Sequence, residues 1–247
     1  LRPHGGCAAT ITRMTFLINV WTVLPGWDWA AMAVFGLVWA GYVQFAARRA
    51  LTRPSILAST NRIRHQWMLQ TTYRDVRVLD GAVVQNLSTS PSFFASTTIL
   101  IIGGLLAVLG TDKASELLQD LPFAARTSVL VFDIKVLLLL MVFVYAFFRF
   151  TWSMRQYTFG ALLVGSAPEA KQFLEFNISR EAFADKAGRV MGFAAETFND
   201  GLRAYYFSFA VVGWFMSPVV FMLATALVVW ILFQREFHSD VLGALNS

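Results

Sequence analysis

The chain is poor in the residues from which small catalytic and metal sites are built. Among 247 residues there is one cysteine, Cys7, and three histidines far apart in sequence, His4, His65 and His238. A single thiol excludes an internal disulfide framework, and these separations offer no zinc-ligand spacing. Charge is scarce as well, at 14% of residues against about a quarter in an ordinary soluble domain. No GxSxG, HExxH or glycine-rich phosphate loop is present, and no apolar run carries paired carboxylates. The expectation is therefore a protein that is not an enzyme and that uses no cofactor and no metal.

What fills the chain instead is apolar: 57% of residues are hydrophobic and the mean hydropathy is +0.57. The net charge of +5 and a pI near 9.7 do not point to nucleic acid. That reading needs basic residues gathered on a soluble face, whereas here they flank apolar runs and act as topology determinants. The expected partners are the lipid bilayer and its anionic headgroups.

The longest apolar run is Val129 to Tyr157, whose segment from Val136 to Phe148 has neither charge nor amide. About twenty apolar residues suffice for a helix to cross about 30 Å of hydrocarbon. By that measure the chain reads as all-α, a polytopic membrane protein with four spans at about 27–47, 92–110, 129–150 and 204–233. Trp27 and Trp29 supply an aromatic belt before the first, and Arg48-Arg49 stop it. Ser90-Pro91 reads as the N-cap and first residue of the second. The fourth interval is longer than a span requires and holds Pro218 near its middle, for which a kink or tilt is the usual remedy. Residues 1–26 read as an external or interfacial segment, in which Met14 is a candidate start, and residues 234–247 as an external tail.

Two long connectors, 48–91 and 151–203, each show apolar residues at threes and fours and read as amphipathic helices. With Arg149 and Arg203 at its edges, this pair of regions holds fourteen of the twenty lysines and arginines. The positive-inside rule then places both connectors in the cytoplasm and both termini outside a bacterial inner membrane. The bland use of the first connector is a basic helix on the anionic leaflet. The sharper one is a face of Asn61, Arg62, Arg64, Trp67, Arg74 and Arg77, with Arg155 from the second connector, presented to a partner, a lipid or an anion.

Asp133 and Lys135 lie inside the third apolar run and, two residues apart, cannot meet along their own helix. The expectation is a charge network at the outer boundary, Lys135 with Glu236 or Asp112 and Asp133 with Arg235 or Lys113. Small residues fall at helical spacing on two spans: Gly36 and Ala40 on the first, Ser96, Gly103 and Ala107 on the second. Such stripes let helices approach closely, and they are expected to be packing surfaces.

Several strings together resemble a known family. They are Asn61-Arg62-x-Arg64-x-x-Trp67-Met68, Ser92-Phe93-Phe94-Ala95-Ser96-Thr97, Asp133-x-Lys135 followed by Ala146-Phe147-Phe148-x-Phe150-x-Trp152-Ser153-x-Arg155-Gln156-Tyr157, Gly201-Leu202-Arg203-Ala204-Tyr205-Tyr206 and Arg235-Glu236-Phe237. They are similar to the DUF599 family of bacterial membrane proteins over about residues 30 to 240. The resemblance implies a four-span inner-membrane protein and carries no activity across.

Two functions follow from the residues. The first is a structural or accessory subunit, associating with itself or with a larger membrane complex. The second is a homo-oligomeric channel or transporter for a small solute or anion, although four spans without an inverted repeat are few for a carrier.

Overall fold

A computed structural model describes residues 24–50, 55–109 and 128–246. Met14, the external segment before Leu24, Asp112 and Lys113 lie outside the described residues. Among the described residues eight helices follow one another: α1 Gly26–Ala50, α2 Ile56–Thr71, α3 Val78–Val108, α4 Val129–Gly165, α5 Gln172–Glu175, α6 Arg180–Trp214, α7 Pro218–Phe237 and α8 Asp240–Asn246. No strand occurs among the described residues. Four stretches of the described residues are long and apolar enough to cross a membrane: Gly26–Ala46, Val78–Val108, Val129–Gly165 and Pro218–Leu245.

Serine starts four of these helices. Ser55, Ser128, Ser179 and Ser217 sit at N-cap positions in extended backbone and accept from Ala58, Val131, Ala182 and Val220 N–H respectively. Each hydroxyl satisfies one of the N–H groups that a helix start leaves without a partner. Pro218 follows Ser217 at the first helical position, where its missing N–H removes nothing the helix would use.

Two expected boundaries move. Ser90-Pro91 does not begin a helix, because α3 runs unbroken from Val78 through Pro91 to Val108. An interior proline costs about 3 kcal/mol of helix propensity; here Pro91 is buried with Val84, Ala95 and Thr98 along the face that α3 packs on α4. Tertiary packing outweighs the local preference.

The second change alters the topology. The interval 204–233 is not one kinked span: α6 ends at Trp214, Phe215 to Ser217 form a turn, and α7 runs back alongside α6. Val220 and Ala224 face Gly213, Trp214 stacks on Phe221 at 5.3 Å, and Arg235 reaches Tyr206. Proline with a serine cap is a strong helix start, and three residues without helical continuation let the chain reverse rather than bend. The C-terminal end of α7 therefore returns to the level of α2: Glu236 accepts from the Leu57 N–H at 3.2 Å, and α8 packs on α2. The tail after residue 233 thus lies at the end of the bundle that carries the basic connectors, not at the opposite end as expected.

The helix lengths make two storeys. At 1.5 Å per residue α4 is about 55 Å long and α6 about 52 Å, against about 30 Å of hydrocarbon. One storey is cored by Phe35, Phe143, Phe150, Phe207, Trp214 and Phe221, joining α1, α4, α6 and α7. The other, here the cap, is cored by Met68, Val84, Tyr157, Val164, Ala187 and Met191 and joins α2 to the near ends of α3, α4 and α6. α2 reaches α6 closely because Gly188 and Gly192 leave room. A Cβ on Gly188 would stand 3.0 Å from the His65 Cα, and one on Gly192 3.1 Å from the Asn61 amide oxygen.

Candidate functional site

At the hairpin end, Lys135 is buried with 2% of its surface exposed. Its Nζ donates to the Trp214 carbonyl at 2.9 Å and lies 5.5 Å from the Trp214 ring centre. The last carbonyls of a helix lack internal partners and carry the negative end of the dipole, so Lys135 caps α6. The opposite charge nearby is Asp28 in the first turn of α1, itself buried and accepting from the Trp214 indole N–H at 2.5 Å. The expected pairing of Asp133 and Lys135 with Arg235 and Glu236 does not form, because the reversal at 215–217 carries the latter two to the other end. There Arg235 donates to Tyr206 Oη at 2.6 Å. Asp133 is half-buried on α4, and Asp112 lies outside the described residues.

The expected basic face is divided: Arg64, Arg74 and Arg77 are tied to groups of the chain, while Arg62 and Arg155 are exposed. Fully buried Asp80 accepts at one carboxylate oxygen from Trp67 Nε1 at 2.8 Å, Thr71 Oγ1 at 3.2 Å and Arg74 Nη1 at 2.6 Å. Arg77 donates to the Thr71, Ala167 and Pro168 carbonyls and so ties the turn after α4 to the start of α3. Arg180 does the same for the Thr72 and Ala170 carbonyls and stacks 4.3 Å over Tyr73. Arg64 donates to Asn61 at 2.7 Å and Thr60 at 3.0 Å. Burial pushes its guanidinium below the usual arginine range, with Tyr157 and Glu196 opposing, and it stays charged. Arg62, Arg74 and Arg155 of the expected set are exposed, although Arg74 still reaches Asp80.

Where the two storeys meet, a cavity of about 430 Å³ opens between the last turns of α1, the start of α2, the middle of α6 and the end of α7. Val43, Ala46, Leu57 and Ala58 give it an apolar side; Asn61, Glu196, Asn199, Asp200, Arg203 and Glu236 give it a polar one. Asp200 is paired with Arg149 and with Arg203, the latter at 3.1 Å. Glu196 accepts from the Asn61 amide at 3.1 Å. Of the residues singled out from the sequence, Asn61 and Glu236 converge here. Glu196, Asn199, Asp200 and Arg203 were legible only as the polar side of an amphipathic helix, and their spacing of three and four residues places them along one strip of α6.

The small-residue stripes are not filled by the other described helices. Gly36, Ala40, Ser96, Gly103 and Ala107 are all exposed, and no described atom outside its own helix lies within 4 Å of where a Cβ would stand on Gly36, Gly103 or Gly104. Beside Gly36 and Ala40, α1 and α4 diverge around a groove of about 520 Å³ with Trp39, Leu138, Met141 and Tyr145 on its walls. Within α3, by contrast, Thr98 is buried and shares its hydroxyl with Tyr205 Oη at 2.7 Å.

No curated protein and no solved structure matches the chain. The family described as "Protein of unknown function, DUF599" matches residues 30–241, nearly the whole of the two-storey bundle, and the chain belongs to that family.

Proposed function

We propose that this is a non-enzymatic membrane protein that works as a structural or accessory subunit, associating through its lipid-facing helices with itself or with a larger membrane complex. The observation that carries the reading is the outward placement of both small-residue stripes. Lipid tails are as apolar as leucine, so helices in a bilayer gain by close packing, and small residues are what permit it. In this chain they are left unburied on α1 and α3 while aromatic side chains fill the interior. A channel or transporter has less support, since Lys135 is engaged by a helix end and Thr98 by Tyr205. With the positive-inside rule, the basic cap belongs in the cytoplasm, and the C-terminal end of α7 goes with it.

Native mass measurement after mild detergent extraction tests this reading. The expected result is a defined homo-oligomer, or a fixed-ratio assembly with another membrane subunit, that Gly36→Leu with Gly103→Leu disperses without unfolding the chain. A monomer free of other subunits under every mild extraction condition would overturn it.

A further inference from the structure

We infer that the cavity between α1, α2, α6 and α7 binds a zwitterion in which a protonated amine stands beside an anionic group. That is the chemistry of phosphoethanolamine, whether as a phospholipid headgroup or free in solution.

Three carboxylates and one guanidinium line this cavity. Asp200 is already neutralised by Arg149 and Arg203. Glu196 and Glu236 form no ion pair among the described residues: one accepts from an amide of α2 and the other from a main-chain N–H of α2. Arg64 lies near enough to Glu196 to act on it through space, but its hydrogen bonds go to Asn61 and Thr60 and not to the carboxylate. Two carboxylates on different helices thus face one space with no ion pair of their own among the described residues, and a carboxylate has room to accept several hydrogen bonds. An ammonium group with three donors matches that need. Arg203 spends one nitrogen on Asp200, and a guanidinium carries five N–H donors, so an anionic group has a partner on the same wall.

The alternatives fit less well. A simple anion would meet Glu196 and Glu236, and a simple cation would leave the Arg203 donors unused. The apolar side formed by Val43, Leu57 and Ala58 suits the methylenes between the two charges. About 430 Å³ lies within the range of about 300–1,000 Å³ usual for small-molecule sites. The cavity also sits where the aromatic storey gives way to the charged cap, the depth at which a headgroup lies when its acyl chains are in hydrocarbon.

The test uses the full chain in nanodiscs of equal phosphatidylethanolamine and phosphatidylglycerol, with native mass spectrometry counting retained lipid. A parallel calorimetric titration of the detergent-purified protein uses phosphoethanolamine, with glycerol phosphate as the amine-free control. The expected result is a preference of about tenfold or more for the amine-bearing probe in at least one arm. Retention in nanodiscs alone identifies the lipid headgroup as the source, and a calorimetric response identifies a free zwitterion. Glu196→Gln is expected to abolish the preference, and so is Ala58→Phe, which fills the space without changing charge. Equal retention of the two lipids together with no phosphoethanolamine response overturns the assignment, as does a preference that survives both substitutions.

Discussion

The two halves of α6 bury their faces by different means. In the cap the buried positions of α6 are mostly small, among them Ala184, Ala187, Gly188, Gly192, Ala194 and Ala195, and at Gly188 and Gly192 α2 comes so close that a methyl would crowd it. Past Gly201 the buried positions include Phe207 and Trp214, and the neighbours are rings: Phe207 stacks on Trp39 at 5.0 Å and Trp214 on Phe221 at 5.3 Å. In the topology proposed above, water outside the cap drives apolar burial there, and a smooth contact between amphipathic helices is enough. Among lipid tails that driving force is absent, so cohesion comes from interlocking shapes and satisfied polar groups. Buried charge follows the same division. Asp80 in the cap is held by three side chains, whereas Lys135 in the aromatic storey is held by a main-chain carbonyl at a helix end.

Removing Asp80 should break the cap while leaving the aromatic storey standing. Asp80→Ala strands the Trp67 indole donor, while Thr71 keeps its bond to the Trp67 carbonyl; Arg74 is partly exposed and turns to water, so the loss is the lower end of that for a broken buried pair, about 3 kcal/mol. The expected readout is rapid trypsin cleavage within α2 and the first half of α6, with the α4 segment before Phe150 still protected. If both storeys become sensitive together, the division drawn here fails. Next in size is Lys135→Met, which keeps the stem but leaves the Trp214 carbonyl without its charged donor. The expected loss is about 2 kcal/mol, read as a lower thermal midpoint in detergent without increased cleavage of the cap.

The existence of the spans was legible because apolar length alone decides it, and Val136 to Phe148 left no other reading. The amphipathic cap helices were legible too, since Phe183, Ala187, Val190, Ala194 and Phe198 keep helical period after the Ser179 cap. The reversal at Pro218 was not. Both a kink and a full break satisfy a proline with apolar residues on either side, and only the pairing of α7 against α6 chooses between them. That one ambiguity displaced Glu236 from the expected outer network to the cavity beside Asn61, so half of the candidate site could not be assembled from sequence. Asp28 was missed for a related reason. Between Trp27 and Trp29 it looks like part of an interfacial belt, and its role depends on an indole brought there by a helix end 186 residues later. The arginines of the first connector carried the opposite trap, because a basic periodic stretch reads as solvated whether its side chains point out, as Arg62 does, or reach back to carbonyls, as Arg77 does.

The smallest effects test the small residues, where sequence spacing is alike and surroundings differ. Gly188 and Gly192 stand four apart on α6, as do Gly103 and Ala107 on α3. Replacing glycine by alanine in a helix gains about 0.5–1 kcal/mol from reduced chain freedom. At Gly188 the new methyl would stand 3.0 Å from the His65 Cα and 3.4 Å from its nitrogen. Those neighbours are backbone, so the whole of α2 must shift, and overpacking of this kind costs about 1–3 kcal/mol. The cost wins, and Gly188→Ala should destabilise by about 1 kcal/mol. At Gly103 no described atom outside its own helix lies within 4 Å, so only the gain remains and Gly103→Ala should leave the thermal midpoint unchanged or slightly raised. Parallel melts of the two variants in one detergent check the pair, and equal shifts would mean that α2 does not rest on Gly188. A midpoint that falls for Gly103→Ala only when lipid replaces detergent would place a neighbouring helix on that face, because the described residues supply nothing there for the methyl to strike.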